Sequence, residues 1–264
     1  MSWIDADGVV LRYRWRAGDG PIAVLLHEMG GCLERWDGVI AALPDDYACL
    51  AYDARGAGLS EKPTAPPSVE ALSADLAALL DALDIRRPIV LAGCAVGAAV
   101  AIRFAADHPA RVSHLVLLAP AIGIAPDRRP ALLDLADAVE RDGMRARIDL
   151  RFDHSYPPRY FEGRHDREEV RARLLQNDPH SYASTYRMLC AMDLGDALAR
   201  IAAPTLVVAG AHDGTRPPAL VEPIATAIAD ARFAVIDSGH AMPILTPLAV
   251  AEAIAHHVAH SLVA

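Results

Sequence analysis

The feature that most constrains the fold is a repeated alternation of short, continuous apolar runs with longer helical patterns. Such runs are typical of strands buried on both faces, and helices between them predict a parallel sheet covered by helices. Residues 9–15 alternate instead, which predicts an early antiparallel strand. The predicted buried strands are 22–26, 47–52, 89–92, 115–118, 205–208 and 233–236, and the predicted helices are 69–83, 96–106, 220–229 and 248–262.

One segment, residues 120–200, lacks any buried-strand pattern and contains amphipathic helical patterns instead. It is too long for an ordinary loop, so we predict a helical cap over the carboxyl edge of the sheet, where open α/β sheets bind ligands. The predicted fold is therefore α/β, with a mostly parallel central sheet and helices on both faces. Residues 1–119 and 201–264 form the core of this single domain, and residues 120–200 form the cap.

The composition excludes several functional classes. A net charge of −9 argues against nucleic-acid binding, which needs a basic surface. The N-terminus lacks a basic region followed by an apolar one, and no apolar run reaches the roughly 18 residues that span a bilayer. The expectation is a soluble, cytoplasmic protein with a small-molecule substrate, no nucleic-acid or membrane partner and no cofactor; a homo-oligomer is left open. The scattered cysteines predict reduced thiols, at Cys32, Cys49, Cys94 and Cys190.

The segment 93–97, GCAVG, directly follows a predicted buried strand. The pattern Gly-x-Ser-x-Gly marks a nucleophile elbow, in which a strained turn exposes the central side chain. Here the central residue is Ala95. Three interpretations are open: a native serine was replaced deliberately, the protein lost its nucleophile naturally, or Cys94 attacks after a shift in register. We favour an inert, buried Cys94, because its side chain leaves the turn in another direction.

Two further residues complete the pattern of a catalytic triad. Asp213 follows the predicted strand 205–208, and His240 follows the predicted strand 233–236. Both therefore leave the sheet on the same rim as the elbow, in the chain order nucleophile, acid, histidine. The other position for the acid, after strand 115–118, carries no carboxylate. We predict that Asp213 orients His240 and that His240 is the base.

An oxyanion hole needs two backbone N–H donors. The predicted donors are Val96, after the nucleophile position, and Met29, in the loop that follows strand 22–26. In that loop His27 is interpreted as a structural anchor, and the segment is not an HExxH metal site because position 31 is glycine. Glu28 is unusual because it places a carboxylate beside the expected pocket. It either contributes to the site, by orienting water, pairing with a cap arginine or repelling anions, or turns away to solvent or into the loop.

With these motifs the chain resembles the α/β-hydrolase superfamily over nearly its full length, and within it the 3-oxoadipate enol-lactonase-like hydrolases. The resemblance gives Asp213 and His240 the triad roles and position 95 the role of the serine. Ala95 and Glu28 are departures from the family pattern. The matching segments are 52–60 (YDARGAGLS), 93–97, 178–182 (DPHSY), 192–194 (MDL), 203–207 (APTLV), 209–213 (AGAHD) with the prolines 217–218, and 239–240.

Further candidates lie outside the triad. Trp36 is predicted to wall the pocket or to pack the first helix, and Arg151, His154 and Tyr160 are predicted to contact substrate from the cap. Several cap arginines are candidates for holding a substrate carboxylate: Arg128, Arg129, Arg147, Arg151, Arg159 and Arg187. Three C-terminal histidines are interpreted as exposed helix residues rather than metal ligands: His256, His257 and His260.

The resulting hypothesis is a hydrolase of a small carboxylic ester or lactone that works through a Ser-His-Asp acyl-enzyme mechanism, disabled here at Ala95. The same frame can cleave an amide or a carbon–carbon bond. A natural ligand-binding relative without catalysis is the other alternative.

Overall fold

A computed structural model describes residues 1–163 and 166–261, with only the backbone of Asp149 and Ser261. Within the described residues, eight strands form one sheet in the order β1-β2-β4-β3-β5-β6-β7-β8. The pairings β1–β2 and β2–β4 are antiparallel, and the others are parallel. The strands are β1 (Ser2–Asp5), β2 (Val10–Arg16), β3 (Ile22–Leu26), β4 (Ala48–Tyr52), β5 (Ile89–Cys94), β6 (Val112–Leu118), β7 (Thr205–Gly210) and β8 (Ala231–Ile236).

Helices connect the strands and cover the sheet. Short 3-10 turns at Leu33–Trp36, Pro109–Arg111, Pro126–Arg128 and Pro158–Phe161 supplement them. The α-helices are α1 (Asp37–Ala42), α2 (Val69–Ala82), α3 (Val96–Asp107), α4 (Arg129–Asp142), α5 (Arg145–Ser155), α6 (Arg167–Leu175), α7 (Pro179–Ala191), α8 (Gly195–Leu198), α9 (Pro218–Thr226), α10 (Met242–Leu245) and α11 (Pro247–Ser261). None of these described helices is long and apolar enough to cross a bilayer.

The central strands are buried on both faces because alternate side chains enter two separate cores. On β3, Val24 and Leu26 join a core packed by α2 and α3, whereas Ala23 and Leu25 join a core that contains Trp36 and residues of α11. This two-sided burial explains the continuous apolar runs in the sequence. The predicted α/β fold, with a mostly parallel sheet between helices, is confirmed.

The sequence patterns placed most elements within two or three residues of their observed bounds. Short elements are missing from the prediction, among them the six-residue α1 and the four-residue edge strand β1, whose mostly exposed side chains carry no buried-strand pattern. Strand β6 begins at Val112, three residues before the predicted start. Its first residues are not predicted as strand because Ser113 and His114 interrupt the apolar run. The predicted last residue of the C-terminal helix, Leu262, lies outside the described residues.

Between β6 and β7 the described chain forms α4 to α8, and α4 packs along α7. An isolated bridge between Gly123 and Asp193 joins the start of this helical segment to its end. The two connections to the sheet therefore lie side by side. This arrangement places the helices over the carboxyl ends of the parallel strands, because β6 enters the segment at its carboxyl end.

Asp53, directly after β4, ties three segments of the chain together. Its carboxylate is fully buried and lies 2.8 Å from Nε of Arg12 on β2. It also accepts hydrogen bonds from the backbone N–H groups of Leu33 and Leu59, each at 2.7 Å. A buried charge with this many donors stabilises the loop of residues 52–60 together with the start of the 3-10 turn Leu33–Trp36.

We predict that Asp53→Asn lowers the free energy of unfolding by about 3 kcal/mol, because it removes the more deeply buried of the two carboxylates that pair with Arg12 and leaves an N–H group without an acceptor. Urea denaturation followed by circular dichroism measures this loss. Asp81→Asn is the control, since Asp81 is half exposed in its contacts with Arg86 and Arg111, and it should cost less than about 1 kcal/mol. Equal losses in the two variants would contradict the role of Asp53.

Candidate active site

The turn after β5 has the backbone of a nucleophile elbow. Ala95 has φ 51° and ψ −105°, a left-handed conformation that costs free energy for a residue with a side chain. Its N–H donates to the Leu118 carbonyl at 2.9 Å, which fixes the turn to the neighbouring strand. A Cβ on Gly93 would lie 2.4 Å from the Gly97 oxygen, and a Cβ on Gly97 would lie 2.4 Å from the Leu26 oxygen. Gly93 is therefore required for the turn to close against the start of α3, and Gly97 is required for α3 to pack against the end of β3.

His240 and Asp213 meet at the same rim of the sheet. Nδ1 of His240 lies 2.8 Å from Oδ2 of Asp213, whose side chain is fully buried. The other carboxylate oxygen accepts the N–H groups of Thr215 and Arg216 at 2.7 and 2.8 Å. Burial alone would raise the pKa of Asp213, but the hydrogen bond and charge of His240 and the two N–H donors outweigh it, and the pKa lies below its usual value. Asp213 is thus held as a carboxylate against the imidazole.

Ala95 and His240 line one cavity of about 330 Å³ between the sheet and the cap. Met29 and Val96, the sequence-predicted oxyanion donors, line it as well. Within the described chain, neither the Met29 N–H nor the Val96 N–H has an acceptor. The geometry therefore leaves two backbone donors free beside the elbow, as an oxyanion hole requires.

His27 connects two loops rather than entering the cavity. Its Nδ1 lies 2.7 Å from the Glu28 carbonyl oxygen, and its Nε2 accepts the N–H of Ala54 at 3.1 Å. The ring is buried. This agrees with the interpretation of His27 as a structural anchor of the loop that carries Met29.

Glu28 is buried, and its carboxylate is partly compensated. Oε1 lies 3.3 Å from Nε of Arg35 and accepts a hydrogen bond from the Tyr156 hydroxyl at 3.2 Å. Oε2 has no hydrogen-bond partner among the described residues and lies against Gly31. Of the alternatives for Glu28, pairing with a cap arginine and turning to solvent are wrong, whereas orienting water and repelling anions stay predictions. Glu28 pairs with an arginine of the core and a tyrosine of the cap, because the loop folds its side chain inward.

Cys94 is fully buried in the core on the side of the sheet that faces Trp36. Its thiol lies 3.6 Å from the His240 carbonyl oxygen. Burial, together with the charges of Glu28 and Asp213, raises the pKa of Cys94 well above its usual value. A protonated thiol that faces away from the cavity is not a nucleophile, so the interpretation of Cys94 as the attacking group is wrong.

The predicted substrate contacts divide into two groups. Arg151 and Glu28 line the cavity, whereas Trp36, His154 and Tyr160 do not. Trp36 is fully buried in the core against helix α11, which corrects its assignment to the pocket wall. His154 is exposed near the end of α5, and the Tyr160 hydroxyl donates to Asp237 at the surface. The sequence pattern could not show which face of each cap segment turns inward.

Sequence reasoning missed other residues of the cavity wall. Arg216 lines it three residues after Asp213, and Tyr156, Tyr182 and Tyr186 line it from the cap. Tyr182 and Tyr186 are spaced i, i+4 on α7, so they share one face of that helix. This spacing and the position of Arg216 in the loop of the catalytic acid were the signals available in the sequence.

The described residues contain no group of three or more His, Cys, Asp and Glu side chains arranged to hold a metal ion. His256 and His260 are exposed on α11, as expected. His257 is buried, with Nε2 3.1 Å from the Pro204 carbonyl oxygen, so its assignment as exposed is wrong. It lies on the face of α11 that packs against the sheet.

Known proteins share this fold. The family described as serine aminopeptidase, S33, matches residues 20–240. The enol-lactonase of Burkholderia xenovorans LB400 superposes with a TM-score of 0.90 at 28% identity, over 98% of this chain and 100% of that chain. A thermophilic esterase of Thermogutta terrifontis superposes with a TM-score of 0.86 at 26% identity, over 98% and 99% of the two chains.

Sequence comparison finds relatives that are also named as hydrolases of carboxylic acid derivatives. The 3-oxoadipate enol-lactonase 2 of Acinetobacter baylyi is 28% identical over 212 residues, 80% of this chain and 78% of that protein. A putative carbamate hydrolase, RutD, of Azorhizobium caulinodans is 31% identical over 239 residues, 87% and 88% of the two chains. With the family match extending from before β3 to His240, the chain belongs to the serine aminopeptidase (S33) family of the α/β-hydrolase superfamily.

Proposed function

We propose that this site serves the hydrolysis of a small carboxylic ester or lactone, and that Ala95 occupies the position of a serine nucleophile. The observation that carries the proposal is the His240–Asp213 pair, which shares one cavity with a strained elbow and two free N–H donors. The relatives named as lactonases, an esterase and a carbamate hydrolase support a hydrolase of carboxylic acid derivatives.

The mechanism follows from the placement of these groups. A serine hydroxyl at position 95 attacks the substrate carbonyl and passes its proton to Nε2 of His240, while Asp213 holds the Nδ1–H. The carbonyl oxygen becomes negatively charged and accepts hydrogen bonds from the backbone N–H groups of Met29 and Val96. His240 then protonates the leaving oxygen. In the second half of the cycle, water attacks the acyl carbon and passes a proton to His240, and His240 returns that proton to the serine oxygen as the bond between serine and the acid breaks.

The methyl group of Ala95 cannot take the first step, so this chain lacks the acyl-enzyme route. That observation favours a second candidate function, in which the protein binds its ligand without turnover. The same frame would also accept an amide or a carbon–carbon bond as the cleaved group, and the proposal selects an ester or lactone because the lactonase relatives extend over most of the chain.

We predict that Ala95→Ser raises kcat/KM for aryl acetates and simple lactones about a thousandfold or more over the unaltered chain, because it supplies the missing nucleophile. Release of the aryl alcohol, followed by absorbance, measures the rate. Ala95→Ser combined with His240→Ala is the matched control and should fall to within about tenfold of the unaltered chain. If the Ala95→Ser variant folds but shows no turnover, ligand binding without catalysis is favoured.

We predict that the thiol of Cys94 does not react with iodoacetamide in the folded protein between pH 7 and 9, because burial and nearby carboxylates raise its pKa. Mass spectrometry of the labelled peptides measures this, and labelling in urea is the positive control. In the Ala95→Ser background, Cys94→Ala should change kcat/KM by less than about threefold. Rapid labelling of Cys94, or loss of turnover in Cys94→Ala, would restore it as a nucleophile.

A further inference from the structure

The cavity wall carries a pronounced excess of positive charge. Four arginines line it, whereas Glu28 is the one carboxylate among the described residues that does so. Glu28 is partly compensated by Arg35. The arginines lie at Arg128, Arg147, Arg151 and Arg216. Guanidinium groups stay charged in proteins, so this wall attracts anions.

Arg147 is the deepest of the four. It is only 8% exposed and is held by α5 of the cap. Nε donates to the Tyr182 hydroxyl at 2.9 Å, and Nη2 donates to Ser155 at 3.2 Å. Among the described residues, Nη1 has no acceptor and no carboxylate lies within 4.0 Å of the guanidinium group. This guanidinium is buried, is oriented by two neutral hydroxyls and keeps a free donor. It is therefore suited to bind a carboxylate.

Arg216 forms a second cationic position, in the core loop that follows Asp213. Its half-buried side chain has no hydrogen bond or salt bridge to any described residue. Burial lowers the pKa of Arg216; the charge of Asp213 opposes this, and the charge of Arg128 adds to it. Asp213 is already engaged by His240. Two guanidinium groups on the wall of one cavity, neither with a counter-ion among the described residues, favour an anion beside them.

The two positions belong to different parts of the fold. Arg147 is on a cap helix, with Arg151 one turn further along the same face. Arg216 is on the core, and its electrostatic neighbours are Asp213 and Arg128 rather than Arg147. Both positions line the same cavity as Ala95 and His240. One small anion cannot compensate two separate cationic positions, whereas a ligand with an acidic group at each end can.

We propose that this cavity binds a small organic acid with two carboxylate groups, one held by Arg147 and the other by Arg216 and Arg128. For the hydrolase proposed above, the substrate is then an ester or lactone that carries two free carboxylates. The class of substrate rests on that proposed function. The proposal of a dicarboxylate-binding site is independent of it, because binding is measured in the unaltered chain without turnover.

The test is isothermal titration of the unaltered chain with glutarate and adipate, against pentanoate and hexanoate of the same lengths. We expect at least one dicarboxylate to bind about tenfold or more tightly than its matched monocarboxylate, because it gains a second charge-assisted contact. Arg147→Met and Arg216→Met should each weaken dicarboxylate binding about tenfold, to the level of the monocarboxylate. Binding should also weaken as salt is raised.

Arg187→Met is the matched control, since this cap arginine lies at the surface with Asp137 and Glu140 and should leave binding unchanged. Arg147→Lys keeps the charge but loses the planar fork, and should recover part of the affinity lost in Arg147→Met. If Arg147→Met fails to fold, Arg216→Met alone decides, because its side chain makes no hydrogen bond to the described protein. Equal affinity for mono- and dicarboxylates, no binding of either, or an unchanged Arg216→Met variant would overturn the proposal.

Discussion

The close approach of two backbone segments at the centre of the sheet supports everything else in the site. Gly97 at the start of α3 lies against the carbonyls of Leu26 and His27 at the end of β3, where a methyl group would overlap them. This contact brings the loop that carries Met29 beside the elbow at Ala95. It lies between β3 and β5, where the chain order of the strands changes direction and where open α/β sheets bind ligands. Without it, the two free N–H donors would not lie beside the same cavity.

The strain at Ala95 has a physical meaning. A left-handed backbone at a residue with a side chain persists only when surrounding contacts enforce it. Here the hydrogen bond to the Leu118 carbonyl and the packing of two glycines enforce it, although the side chain is a methyl group that performs no attack. The elbow, the His240–Asp213 pair and the free donors therefore surround a methyl group at the position where the proposed function places a serine.

The negative and positive groups of the cavity wall differ in how far they are compensated. Glu28 is held by Arg35 and Tyr156, so the unusual carboxylate of the loop connects the core to the cap instead of facing a ligand as a free charge. The arginines of the wall have no such compensation among the described residues. A buried charge without a counter-ion is costly in free energy. Arg147 therefore marks the position at which a ligand of opposite charge contributes most to binding.

The sequence by itself determined the α/β fold, the elbow at position 95 and the chain positions of Asp213 and His240, since strand periodicity and motif order are properties of short segments. It did not determine which arginines line the cavity, that Trp36 and His154 lie away from it, or that Glu28 pairs with Arg35. Those outcomes depend on how the cap helices rotate and pack against the core. Such packing is set by contacts between residues distant in the chain, so only the tertiary structure decided them.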